Sequence, residues 1–252
     1  MFEPFSRRIL FARLEHRLGT PAMNIADSIT RLSGYHTRHG FWATLRRAGV
    51  AARRSWFSGR MALFYCELSC QIPPPEPREP LEVEPKRNEA EIEERDFREM
   101  ISFWNPKLAR RKMKERFQEG ATLWLIRSES RLAGYGWTLK GKTIRPHYFR
   151  LAPDDVHFFD FHVYPEYRGR GINPLLVSHI LHFLSRTGAG RAFIEAAEWN
   201  HAQLLSLSKT PFRPLGWARM ISVPGGSLVW WGSDSDAHRY QAGLRTGKEA
   251  PG

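Results

Sequence analysis

The spacing of apolar residues changes period several times along the chain, and each change marks an element. In "NEAEIEERDFREMISFW", Ile92, Phe97, Ile101 and Trp104 recur at helical spacing, and the pattern stops at Asn105-Pro106. "KLARRKMKERFQEG" reads as a second, basic helix closed by Gly120. "ATLWLIR" and "RLAGYGWTLK" read as strands joined by the polar turn "SES", and "DVHFFDFHVY" reads as a third long strand. "NPLLVSHILHFLSRTG" returns to helical spacing. Its stripe is Leu176, Val177, Ile180, Phe183 and Leu184; Ser178, His182, Ser185 and Arg186 face away, and Gly188 closes it. "RAFIEAA" is a strand, "NHAQLLSLSK" a short helix, and "ARMISV" with "SLVWW" a last strand pair. Nearer the start, Phe5, Ile9, Leu10, Phe11, Leu14 and Leu18 suit an amphipathic helix, and "MALFYCELS" a strand.

From residue 86 onward this order predicts a mixed α/β sheet with helices packed on it. "IPPPEPREPLEVEP", residues 72–85, holds six prolines. Such a stretch forms neither a helix nor a central strand, so it is read as an extended linker or a loop with one short edge strand. The division is then a basic N-terminal extension (1–71, free to add its strand to the main sheet), a Pro-rich linker (72–85), a domain (86–232) and a polar tail (233–252) read as disordered.

Charge and cysteine content narrow the setting. The chain has 252 residues and a net charge of +12. Residues 1–60 hold eleven arginines against three acids, a balance of +8 that leaves +4 for the rest. Such a segment fits an anionic partner or an acidic membrane face, or is simply a solvated basic surface; nucleic acid is not favoured. No run of eighteen apolar residues exists, so no spanning helix is expected. Cys66 and Cys70 have no second pair elsewhere, which argues against a disulfide framework and a zinc site. A reducing, cytoplasmic location fits.

Chemistry concentrates at "VYPEYRGRGINP" (163–174). A strand entering a glycine turn and then a helix exposes backbone N–H groups at the positive end of the helix dipole, which makes an anion site. Gly169 and Gly171 let the backbone approach a phosphate, and Arg168 and Arg170 add positive charge. Asn173 is expected to cap the helix and Pro174 to take its first position. The loop lacks the lysine of a P-loop and the spacing of a dinucleotide fingerprint.

These residues resemble the acetyl-CoA-binding motif of the GNAT N-acetyltransferase superfamily. Val163, Pro165, Arg168, Gly169, Gly171 and Ile172 match it; Asn173 stands where the family has Gly or Ala. "EWNHAQLLSLSKTPFRPLGW" resembles the family's next motif through Asn200 and Phe212, with Pro211 in place of its glycine. The resemblance covers roughly residues 90–232. It implies a GNAT-like, mostly antiparallel central sheet flanked by helices, and direct attack of an amine acceptor on the thioester of acetyl-CoA, without metal. It implies that the strand ending at Val163 splays from its neighbour and binds the pantetheine arm through its backbone. Arg168, Gly169, Arg170, Gly171, Ile172 and Asn173 would wrap the pyrophosphate, and Asn200 would lie near the thioester or the pantetheine. Many members place a tyrosine seven residues after this asparagine to protonate the leaving thiolate; that position is Leu207, flanked by Ser206 and Ser208. A non-catalytic acyl-CoA-binding module, and a peripheral membrane protein anchored by residues 1–60, stand as alternatives. The acceptor, an amino sugar or another small amine, is left open, as is a homodimer.

A proton acceptor is expected on strand 156–164 or beside it. By alternation Asp160 and His162 share one face, while His157 lies with Phe159, Phe161 and Val163. Asp160, His162 and Glu195 are the candidate catalytic residues; a salt bridge or a backbone hydrogen bond would account for any of them without catalysis. His147, Tyr148, Trp137 and Trp199 are candidates for an acceptor pocket. His179 and His182 have a metal-compatible helical spacing but no evident third ligand, so solvated histidines are the expectation.

Overall fold

The computed structural model describes residues 9–10, 60–76, 80–102, 106–144, 147–223 and 226–232. Its strands are β1 (Ile9–Leu10), β2 (Met61–Glu67), β3 (Leu81–Lys86), β4 (Thr122–Ser128), β5 (Arg131–Lys140), β6 (Asp155–Val163), β7 (Arg191–Ala197), β8 (Arg213–Val223) and β9 (Gly226–Trp231). Its helices are α1 (Glu94–Ser102), α2 (Pro106–Gln118), α3 (Ile172–Ser185) and α4 (His201–Leu207). All strands join one sheet, in the order β1-β9-β8-β2-β7-β6-β5-β4-β3. Every neighbouring pair is antiparallel except β6 and β7. The fold is therefore mixed α/β, with a mostly antiparallel sheet flanked by helices.

Local chemistry explains the joins. Glu129 and Ser130 link β4 to β5 with φ of 50° and 61°; two left-handed residues in a row match the twist of a tight hairpin. Pro106 opens α2, where its missing N–H costs nothing. β3 pairs with β4 on one side and forms the sheet edge, so Pro85 in it takes no donor from a ladder. The Pro-rich stretch is thus partly strand. Its first residue is also fastened: the Ile72 N–H donates to Ser185 Oγ (3.3 Å), and the Ile72 carbonyl accepts from His182 Nδ1 (2.6 Å).

α2 lies on the face carrying Trp137, with the rings of Phe117 and Trp137 5.0 Å apart. α3 lies on the opposite face, where the rings of Phe183 and Trp124 make a T-shaped contact with centroids 5.2 Å apart. One large apolar cluster includes Phe97, Met113, Trp124, Trp137, Phe158, Leu176, Ile180 and Ile194.

The N-terminal extension does add its strand to the main sheet: β2 lies between β7 and β8, and its Leu63 is fully buried. Two expectations change. Ile9 and Leu10 are extended and pair with Trp230 and Val229 rather than forming part of a helix; the remainder of that proposed helix, Trp104 and the tail from Ser233 lie outside the described residues. On α3 the buried stripe takes Leu181, while Phe183 is the exposed member. Its supposedly solvated face is the one that holds Ile72.

Candidate active site

The centre of the sheet holds its parallel pair, and that pair is short. β6 and β7 align from Asp155↔Arg191 to Phe158↔Ile194 and pair no further. The closed end is clamped by two charged hydrogen bonds, Arg191 Nε to Asp155 Oδ1 (2.7 Å) and Arg191 Nη2 to Asp155 Oδ2 (2.9 Å). The open end follows a β-bulge. Opposite β5, the register of β6 slips between the partners of Tyr135 and Trp137, and Asp160 in the bulge has φ of 52°. A bulge bends its strand and raises the local twist, which turns the rest of β6 away from β7. Gly136 is required opposite it, because a Cβ there would lie 2.3 Å from the Phe161 ring.

Beyond the split, β6 keeps its bonds to β5 up to Val163 and β7 keeps its bonds to β2 up to Met61. Only the two facing edges lose their strand partner. One freed group is taken internally, the Glu195 carbonyl accepting from Gln203 Nε2 (3.3 Å). The result is a wedge between fixed strands, lined by backbone polar groups.

The glycine loop lies at the end of the same strand. Gly169 and Gly171 have φ of 81° and 80°, and a Cβ on either would meet nothing within 4 Å. So the glycines serve conformation and leave open space beside the backbone. Gly171, not Asn173, caps α3, and Pro174 is the third helical residue rather than the first. Asn173 is inside the first turn and donates to Ser206 Oγ (2.7 Å), tying α3 to α4. Arg168 Nε donates to the Val163 carbonyl (3.2 Å), and Arg170 lies over the Tyr167 ring. Asn200 caps α4, accepting from the Gln203 N–H (3.3 Å).

The bulge also reverses the alternation along β6. His162 stacks on Tyr135 and Phe159 on Trp137, while Phe161 stacks on Phe158. His157 and His162 therefore share a face with Phe159, and Phe161 is on the other. Asp160 is exposed and pairs with Arg116 at 2.6 Å; that guanidinium also covers the rings of Trp137 and Phe159. His162 is held below the usual imidazole range by burial and by Arg168.

Glu195 accepts a hydrogen bond from His157 Nε2 at 2.9 Å. Burial alone would raise this carboxyl, but the charge and hydrogen bond of His157 outweigh it and hold the carboxyl low. The His147 ring lies 5.0 Å from that of His157, and burial lowers its pKa to about 4. Alternation alone sent His157 to the face opposite Asp160 and His162, away from the candidate acids and bases. The available signal was in the residues: adjacent Phe158 and Phe159 break the period, and Gly134 and Gly136 on the partner strand mark a bulge. Trp137 is core, and Trp199 is exposed. His179 is half-buried, and its neighbour His182 is engaged by Ile72.

Residues 87–204 match the model of the acetyltransferase (GNAT) family. This part of the chain is a GNAT acetyltransferase domain. The family transfers acyl groups from acyl-CoA to amines. No curated protein matches the chain. Among solved structures it is similar to a GNAT-family protein from Novosphingobium aromaticivorans (16% identity, 69% of this chain and 63% of that one, TM-score 0.41). It is also similar to a tandem GNAT protein from the clavulanic acid biosynthesis pathway (15%, 73% and 57%, TM-score 0.47). A third is an acetyltransferase of Bacillus subtilis in complex with CoA (16%, 60% and 97%, TM-score 0.40). The chain thus spans under two thirds of the length of the first two. Among the described residues no helix is long and apolar enough to cross a membrane.

Proposed function

We propose that this GNAT domain moves an acetyl group from acetyl-CoA to a small amine. The observation that carries the reading is the β6–β7 wedge, which opens just before the glycine-capped start of α3. An extended arm with amide groups can bond the free strand edges as an added strand would. A pyrophosphate suits the N–H groups and dipole at the start of α3, within reach of Arg168, Gly169, Arg170, Gly171, Ile172 and Asn173. Val163 would contribute its backbone, although Arg168 already engages its carbonyl, and Asn200 would border the far side of the wedge.

In the reaction the amine nitrogen attacks the thioester carbon; the N–C bond forms and the C–S bond breaks. The amine proton goes to the His157–Glu195 pair, the described acid–base couple already joined by a hydrogen bond beside the split. Asp160 is engaged by Arg116, and His162 stands nearer Tyr135, so they serve better in shaping the acceptor side. The departing thiolate takes its proton from water, because Leu207 is fully buried and has none to give.

Leu207 also favours a second reading, a domain that binds acyl-CoA without turning it over. Calorimetry with acetyl-CoA, followed by an amine screen that reads free thiol, separates the two. Binding with turnover supports the transferase, and binding without turnover supports the second reading. Gly171→Glu should weaken acetyl-CoA by at least about tenfold, since its carboxylate would face the pyrophosphate. Unchanged affinity in a folded Gly171→Glu protein would sink the assignment of the loop. Residues 1–60, with their +8 charge, fit an anionic partner, to be tested by binding with and without the segment.

A further inference from the structure

The proposed transfer uses only two of the three side chains clustered beside the split. His147, from the segment after β5, joins His157 of β6 and Glu195 of β7. One nitrogen of each ring and one carboxylate oxygen all lie within 4.8 Å of one another. Both imidazoles are more than nine-tenths buried, with relative exposures of 6% and 5%. Among the described residues, His147 Nε2 and His157 Nδ1 have no hydrogen-bond partner. A buried polar atom left unbonded is costly, and this cluster carries two of them on rings whose centroids lie 5.0 Å apart. A hydrogen-bonded chain of three side chains would have left fewer.

We propose that His147, His157 and Glu195 form a binding site for a divalent first-row cation of the zinc type. Two imidazole nitrogens and one carboxylate oxygen are the donor set such ions take when a fourth position stays open. Metal–ligand bonds of about 2.0–2.1 Å place tetrahedral ligands roughly 3.3 Å apart. His157 Nε2 and Glu195 Oε2 already stand at 2.9 Å, so this nitrogen, not the unpartnered Nδ1, is the one placed to ligate. Only the His147 ring has to approach, and it belongs to the irregular stretch between β5 and β6 rather than to the sheet. The cation would occupy lone pairs that the proposed transfer needs, so the loaded protein would be a slower transferase. Cation binding itself does not depend on the transferase reading.

The test is direct titration of the full chain with Zn²⁺ against a chromophoric chelator, with no acetyl-CoA present. One equivalent should bind with micromolar or tighter affinity. His147→Ala and His157→Ala should each weaken it by at least about a hundredfold, and His179→Ala should leave it unchanged. Co²⁺ added to the wild type should give the visible absorption of a low-coordinate N/O site, a readout that survives if a histidine variant fails to fold. The proposal is overturned if the folded wild type binds no stoichiometric Zn²⁺ and gives no Co²⁺ band. It is equally overturned if binding persists in folded His147→Ala protein or moves with His179.

Discussion

A single residue shows how burial decides what a side chain can do. Leu207 stands where a tyrosine would protonate a thiolate, yet its side chain is enclosed in the main core. Restoring the hydroxyl is therefore not a simple repair. Leu207→Tyr overpacks that core and should cost about 1–3 kcal/mol, read as a lowered urea midpoint, without raising kcat. The neighbouring serines do not substitute. Ser206 accepts from Asn173 and Ser208 donates to the Leu205 carbonyl, so neither Ser206→Ala nor Ser208→Ala should cut kcat by a hundredfold. The two cysteines divide by the same rule. Burial pushes the Cys66 thiol up to about 11, whereas Cys70 is exposed. Since the thiolate is the reacting species, a disulfide reagent at pH 8 should rapidly modify one thiol per native chain and two after denaturation. Two fast thiols in the native protein would contradict the placement of β2.

Elements are held by a few buried charges whose partners sit on other elements. Arg127 of β4 is paired with Asp96 of α1, and both side chains are almost wholly buried. Asp96 holds the Arg127 guanidinium above its ordinary pKa. Removing one member leaves the other charge buried, so Asp96→Ala should destabilise by about 3–5 kcal/mol. Denaturant unfolding of Asp96→Ala against Arg98→Ala measures this. Arg98 makes only an exposed pair with Glu94, and its loss should cost under about 1 kcal/mol.

At the scale of the whole molecule, the strand before the Pro-rich stretch belongs to the sheet centre. A chain starting at Arg60 keeps β2, and with it the Arg60–Glu198 ion pair at 2.7 Å. It should fold and retain acetyl-CoA affinity. A chain starting at Ile72 loses β2 and leaves β7 and β8 with unpaired inner edges. That chain should be insoluble or lack a cooperative thermal transition. Cooperative folding from Ile72 onward, seen by circular dichroism, would refute the central role of β2.

Much of this was legible in the residues alone. Periodicity placed the helices and strands from residue 92 to 231, because burial on one face imposes a period of 3.6 or 2 whatever the partner. "VYPEYRGRGI" and Asn200 identified the family by local patterns, since a positive φ or a helix cap leaves a signature within a few residues. Sequence could not place β2 in the sheet, because the Pro-rich stretch separates it from its partners and pairing is a long-range choice. Nor could it give the faces of β6. A one-residue bulge reverses every side chain after it, and the bulge depends on β5 across the ladder. That reversal turned His162 onto the face that His157 already holds. His157, Glu195 and His147 come from separate segments, and only the tertiary structure brings them together.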